Sequence, residues 1–290
     1  MTGDGSAEPG PGDAPLIPEG LDATLVLLRH GESEWIVENR FQGQGETPLS
    51  PAGRRQAALA GERLARPHAS PVLPVPEGRP LEIAYSPLAR TAETARAVAE
   101  AIARDAGVEP GADGFPVPLR PEPGILEIGQ GEWEGVHQDE IARRWPDVLA
   151  GWRRRPWEVY APGGESPAEV QARVRVALAG VLERLGRDYP RGTLDRPQVH
   201  GYAGVSPAAA QPWSILVGHD GVFKITMLAL FGLPLTHFWM FTMALTGITV
   251  VEFRGGRPVV RAANLTEHLA PILDEAAQDA ADRRARSGAL

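Results

Sequence analysis

The apolar run Leu25-Val26-Leu27-Leu28 stops at Arg29-His30-Gly31-Glu32. Four apolar residues without helical spacing predict a buried strand of a parallel sheet. Ligands of open α/β sheets bind just past the carboxyl ends of such strands. A histidine beside an arginine there, followed by glycine, sets a nucleophile and a fixed cation on a flexible turn. The same four residues would also serve as a polar strand-end turn meeting water.

Two further strand ends repeat the pattern. The strand-like run from Leu81 to Tyr85 leads into Ser86-Pro87-Leu88-Ala89-Arg90-Thr91, and Ile215-Leu216-Val217 leads into Gly218-His219-Asp220-Gly221. An acid, Glu127, lies in Gly124-Ile125-Leu126-Glu127-Ile128-Gly129-Gln130-Gly131. Two histidines and two arginines are thereby delivered to one edge of one sheet. Guanidinium groups hold phosphoryl oxygens bidentately, so the convergence points to phosphate chemistry.

Composition fits one enzyme domain. The chain has 290 residues, 43% of them hydrophobic, which is enough to fill the core of a large α/β fold. A net charge of -8 argues against a nucleic-acid partner. With no cysteine, neither disulfides nor thiolate metal sites are expected. No apolar stretch approaches the roughly 20 residues of a membrane span. Residues 1–20 carry no secretory signal pattern, so no membrane partner and a cytoplasmic location are expected.

Residues 1–20, rich in Gly, Pro, Ala and acid, read as a disordered tail ahead of a domain over 21–275. Ser50 reads as the N-cap of a helix to about Ala65. Arg66 to Pro80 is a proline-rich loop, and Thr91 to Ala106 a helix with Ala95, Val98, Ala99 and Ile102 on its apolar face. Pro110 to Pro123 reads as a second loop, followed by a short helix from Gln138 that stops at Pro146. Ser166 caps a long helix through Leu185. Residues 186–212 read as a polar insertion without a strong pattern. A strand at Ser214 to Val217 precedes a helix to about Leu230. Thr246 to Phe253 and Pro258 to Ala262 read as paired edge strands, and 276–290 as a C-terminal helix or tail. Alternating strands and helices mean a three-layer α/β/α fold with a mostly parallel central sheet.

Read in order, these residues resemble the histidine phosphatase superfamily, which includes cofactor-dependent phosphoglycerate mutases and many small-molecule phosphatases. The resemblance runs from Leu25 to about Leu269. Its motifs are Arg29-His30-Gly31-Glu32-Ser33, Arg40-Phe41-Gln42-Gly43, Thr47-Pro48-Leu49-Ser50-Pro51-Ala52-Gly53 and Ser86-Pro87-Leu88-Ala89-Arg90-Thr91. Glu127 ahead of Gly131-Glu132-Trp133-Glu134-Gly135, then Gly163-Gly164-Glu165-Ser166, Val217-Gly218-His219-Asp220-Gly221 and Asn264-Leu265-Thr266-Glu267-His268-Leu269 complete it. The resemblance implies a phosphoglycerate mutase-like fold.

Roles follow. Neutral His30 attacks phosphorus to give a phosphohistidine, with its other nitrogen held by a backbone carbonyl. Arg29 and Arg90 hold the phosphoryl oxygens, and a charged His219 adds a third donor. Glu127, preferred over Glu122, Glu132 and Glu134 because the resemblance sets the family's acid there, protonates the leaving oxygen and then takes a proton from water. No metal and no cofactor are needed, because the arginines supply the positive charge. The partner is a small phosphorylated substrate; a homodimer stays open.

One position departs from the family. Relatives carry Trp-Asn, with Asn six residues after the nucleophile, and here Trp35 is followed by Ile36. A donor to a charged group contributes about 1.5–3 kcal/mol, so Asn39, Gln42 or backbone N–H groups near Gly43 are expected to replace it. The run after Glu127 lacks the Arg-His-Tyr-Gly of the mutases. Phosphatase is therefore the preferred reading, with mutase-type phosphoryl transfer or a ligand-holding pseudoenzyme as alternatives. Glu165-Ser166 reads as a helix cap, and Trp133, Trp145, Trp152 and Trp157 as core packing or an active-site cover.

Overall fold

A computed structural model describes residues 15–108, 115–189 and 211–273. In chain order the elements are β1 (Ala23–Arg29), α1 (Glu34–Val37), α2 (Pro51–Ala65), β2 (Ile83–Tyr85), α3 (Ala89–Asp105) and β3 (Leu119–Pro121). Then follow α4 (Gln138–Arg144), α5 (Pro146–Arg154), α6 (Pro167–Gly186), β4 (Trp213–Gly218), α7 (Asp220–Leu230), β5 (Ile248–Arg254) and β6 (Arg257–Leu265). The sheet order is β3-β2-β4-β1-β5-β6. The pairs β2–β3, β2–β4 and β1–β4 are parallel, while β5 is antiparallel to both β1 and β6.

The run that opens the fold is buried on both faces for different reasons. Leu25 and Leu27 join one core with Val174, Leu178 and Val181 of α6 and Val222, Phe223 and Ile225 of α7. Val26 and Leu28 join the other with Ala60 and Leu64 of α2 and Ala95, Val98 and Ile102 of α3. Period-two alternation of an all-apolar strand thus feeds two helical layers, as a parallel sheet requires. A third, smaller core under α4 and α5 gathers Trp133, Ile141, Leu149 and Ala161 with Phe41, Trp145 and Trp152 against it.

The helix ends follow their local chemistry. The Ser50 hydroxyl accepts from Gly53 N–H, and Ser166 forms a capping box with Glu169. Among the described residues no helix is long and apolar enough to cross a membrane.

Several expectations need correction. The tail does not extend to residue 20: Leu16 is buried in the core and Ile17 packs against it, because apolar side chains there meet the α6 layer. Residues 1–14 lie outside the described residues, as do 190–210 of the proposed insertion and 274–290. The loop read from Pro110 to Pro123 contains β3, whose Pro121 is tolerated because the strand is at the sheet edge. Pro146 does not only end α4; it is the first residue of α5, where its missing N–H costs nothing. β5 is not an edge strand, since it lies between β1 and β6.

Candidate active site

Sheet register builds the site. Arg29 pairs with Gly218 across parallel β1 and β4, so the next residues, His30 and His219, are neighbours past the carboxyl edge. Their rings meet edge to face with centroids 5.1 Å apart. Ser86, past the end of β2, bonds the His219 Nε2 at 2.7 Å. Arg90 lies in the first turn of α3, fully buried beneath the same edge. Glu127 follows β3. All four parallel strand ends contribute.

The His30 Nδ1 is 2.6 Å from the Gly31 carbonyl oxygen. A carbonyl can only accept, so Nδ1 carries the proton and Nε2 keeps its lone pair. Burial first, then the charges of Arg90 and Arg29, hold the His30 pKa well below 6.5. The ring is neutral at physiological pH, the form a nucleophile needs. Gly31 is required for this turn: a Cβ there would sit 2.5 Å from the Gly53 carbonyl oxygen at the start of α2.

His219 corrects an expectation. Burial, followed by Arg90, His30 and Arg29, holds it well below 6.5, so it is neutral rather than charged in the free protein. It sits behind His30 and does not line the open cleft. Arg90 is lowered to about 10, mainly by burial, and remains charged. Its guanidinium donates to the carbonyls of Gly45 and Gly43 at 2.9 and 2.7 Å. Arg29 donates to the Met243 carbonyl and lies 3.9 Å from Asp220. The Nε atoms of Arg29 and Arg90 and the Nδ1 of His219 are buried with no protein partner. The two arginine Nε–H groups can only donate, so they call for an acceptor.

The C-terminal motif explains why the Arg29–His30 segment holds still. Thr246 N–H donates to the His30 carbonyl, and Asn264 Oδ1 accepts from Ala244 N–H at 2.6 Å. Buried His268 bonds the Thr246 hydroxyl at 3.3 Å. Burial lowers its pKa to about 4. The unfolded chain therefore binds protons below pH 6.5 that folded His30, His219 and His268 refuse, so stability is lost as pH falls through that range. Urea titrations should give a lower midpoint at pH 5 than at pH 7.5, and His268→Gln should reduce the difference. A midpoint unchanged between the two would contradict it.

Glu127, not Glu132 or Glu134, borders the cleft. Its Oε1 accepts the N–H groups of Ile128 and Val222, both at 2.9 Å, and its Oε2 that of Gly221 at 3.1 Å. The carboxylate is thereby docked on the N-terminus of α7, where the helix dipole favours negative charge. A Cβ at Gly221 would meet Glu127 Oε1 at 2.8 Å. The backbone of Glu127 is held separately. Arg173 donates to the carbonyls of Gly124, Leu126 and Glu127 and pairs bidentately with Glu165 at 2.9 and 2.7 Å. Glu165 thus braces the acid loop through Arg173, Gln44 and Gly129 N–H, and the helix cap is Ser166 with Glu169.

Of the expected substitutes for the lost Asn, Gln42 and Gly43 line the cleft, and neither Ile36 nor Asn39 does. Gln42 Oε1 accepts the Ser33 hydroxyl at 2.6 Å, which leaves its amide N–H groups as donors. Asn39 is exposed and in the left-handed region (φ 53). Its backbone serves the turn: Asn39 N–H donates to the Ile36 carbonyl, and its own carbonyl accepts from Gln138 N–H.

The tryptophans divide: Trp133 is core, Trp157 packs on the main core, and Trp152 lines the cleft. Phe41, Tyr160, Phe238 and Trp239 also line it, and sequence reasoning passed over them. The apolar stretch Phe238-Trp239-Met240-Phe241, whose first three residues end a 3-10 helix over Leu235–Met240, was the available signal. The cleft holds about 180 Å³. Among the described residues, no group of three or more His, Asp or Glu side chains is arranged to hold a metal ion.

Comparison with known proteins agrees with this geometry. The model of the histidine phosphatase superfamily (branch 1) matches residues 25–189 and 205–266. Phosphoserine phosphatase 1 of Hydrogenobacter thermophilus is 29% identical over 253 residues, 87% of this chain and 97% of that protein. Glucosyl-3-phosphoglycerate phosphatase of Mycolicibacterium vanbaalenii is 31% identical over 72% of this chain and 75% of its own. Among solved structures, Bacillus stearothermophilus YhfR superposes with a TM-score of 0.63 at 28% identity, over 85% of this chain and 99% of that one. Sheet order, strand-end histidines and family match converge: the chain belongs to the histidine phosphatase superfamily, branch 1.

Proposed function

We propose that the protein is a metal-independent phosphatase of small phosphomonoesters that works through a phosphohistidine on His30. The observation that carries this reading is the pair of buried, unpartnered Nε donors of Arg29 and Arg90 beside a histidine whose tautomer leaves Nε2 free. A phosphoryl group bound by the two arginines offers its oxygens to those donors.

Nε2 of His30 then forms a bond to phosphorus as the ester P–O bond breaks, and Glu127 gives its proton to the departing oxygen. Water attacks the phosphohistidine, Glu127 takes a proton from it, and the N–P bond breaks to release inorganic phosphate. The arginines, preorganised and desolvated, stabilise the charge that spreads over the phosphoryl oxygens. Relatives named as phosphoserine and glucosyl-3-phosphoglycerate phosphatases support hydrolysis as the outcome. Mutase-type transfer is the weaker reading, because the run after Glu127 carries Gly and Trp where mutases place Arg and His.

The test supplies a panel of phosphomonoesters, including 3-phosphoglycerate with 2,3-bisphosphoglycerate, in the presence of a chelator. Phosphate release should persist and interconversion of 2- and 3-phosphoglycerate should be negligible. Isomerisation faster than phosphate release, or strict dependence on added divalent metal, would overturn the proposal.

A further inference from the structure

Beyond the arginines and His30, the cleft changes character. Its outer wall is formed by Phe41, Trp152, Tyr160, Phe238 and Trp239. The rings lock one another edge to face: Phe41–Trp152 at 5.6 Å, Trp152–Trp239 at 5.9 Å and Phe238–Trp239 at 5.0 Å between centroids. Lys224 backs the wall, its Nζ 4.8 Å from the Trp239 ring centre and 2.5 Å from Asp220. Such a wall is rigid before any ligand arrives. It is also wet, since Tyr160 is 42% and Trp239 45% exposed. Large rings left in water at a cleft mouth mark a surface meant to be covered.

Charge sharpens the picture. Among the described lining residues the only Lys or Arg side chains are Arg29 and Arg90, both committed to the phosphoryl end. The other charged groups of the lining are the carboxylates of Glu127, Glu165 and Asp220, the last two paired with Arg173 and Lys224. The exposed Arg153, Arg154 and Arg155 lie outside the lining, and Arg155 is paired with Glu158. A second anionic group on the substrate would lose its water there and gain no cation.

We infer that the aromatic wall is a leaving-group subsite for a planar apolar group. The preferred substrates are then phosphomonoesters of alcohols that carry an aromatic group and no second anion. This specificity rests on the phosphatase reading of the same cleft, but its test can be separated from turnover.

The test measures binding to His30→Ala protein, which retains the wall, by calorimetry with four alkyl esters of similar leaving-group chemistry: 3-phenylpropyl phosphate, propyl phosphate, 3-phosphoglycerate and glucose 6-phosphate. Covering one phenyl ring should tighten binding by about tenfold to a hundredfold over propyl phosphate, with 3-phosphoglycerate weakest. Adding Trp239→Ala or Tyr160→Ala, both at exposed positions, should bring the phenylpropyl-to-propyl ratio towards one. Binding of 3-phosphoglycerate or glucose 6-phosphate as tight as that of the phenylpropyl ester would overturn the subsite. So would a ratio unmoved by both substitutions. Failure of the unsubstituted protein to release phosphate from any of the four would count against the phosphatase reading, while the affinity order would still decide the subsite.

Discussion

Substitution of His30 by alanine is expected to lower phosphate release by at least about 10³-fold and to abolish covalent labelling, because no other side chain in the site can carry the phosphoryl group. The site geometry is specific on this point. Among the described residues His219 is the one other imidazole in contact with His30, and it lies behind His30, neutral and bonded to Ser86. His30 alone combines a fixed Nδ1–H, a free Nε2 and a place on the cleft. Its lowered pKa also means that acid should not silence the nucleophile until well below pH 6.5. Rapid alkaline quenching with phosphorus-labelled substrate should trap an alkali-stable, acid-labile phosphoryl group on the unsubstituted protein and none on the variant. Because the ring is buried, the unfolding midpoint of the variant must be measured beside it. A folded variant that still takes label would sink the assignment of the nucleophile.

The site was legible in sequence wherever chemistry coincided with a strand end. Arg29, His30, Ser86 and His219 each follow a short apolar run, and parallel register alone makes the histidines neighbours. The same logic failed at β3, where Leu119-Arg120-Pro121 is too short and too polar to read as a strand. An edge position needs only one covered face, so its apolar signal is weak. Pairwise bracing was also invisible. Arg173 reaches Glu165, Gly124 and Glu127 only because α6 packs beside the acid loop, a contact set by tertiary structure. The aromatic wall shows the same limit. Phe41, Trp152 and Trp239 come from three separated segments, and each alone is indistinguishable from a core residue. The expected charge on His219 failed for a different reason: burial, which no motif reports, together with the nearby Arg90 and Arg29 outweighs its tendency to protonate.

Glu127→Gln should divide substrates by their leaving groups. Alkyl phosphates expel a strongly basic oxygen and need a proton in the transition state, whereas activated aryl phosphates leave with little help. The variant should therefore slow phosphoryl transfer to His30 from alkyl esters by about 10²–10⁴-fold, the usual range for loss of a general acid, and the same step from activated aryl esters far less. The three N–H groups on the carboxylate add a geometric consequence. A glutamine can offer its carbonyl to the N–H groups of Ile128 and Val222, but its own amide N–H would then face that of Gly221. Two donors cannot satisfy each other, so the side chain is displaced as well as deprived of its acid. Deacylation-like hydrolysis of the phosphohistidine also needs Glu127 as base, so even aryl esters should show a burst of released phenol followed by slow turnover. Presteady-state measurement of phenol and phosphate separates the two steps. Equal losses for alkyl and aryl esters with no burst would mean that Glu127 moves no proton, and the role would pass to another group on the cleft.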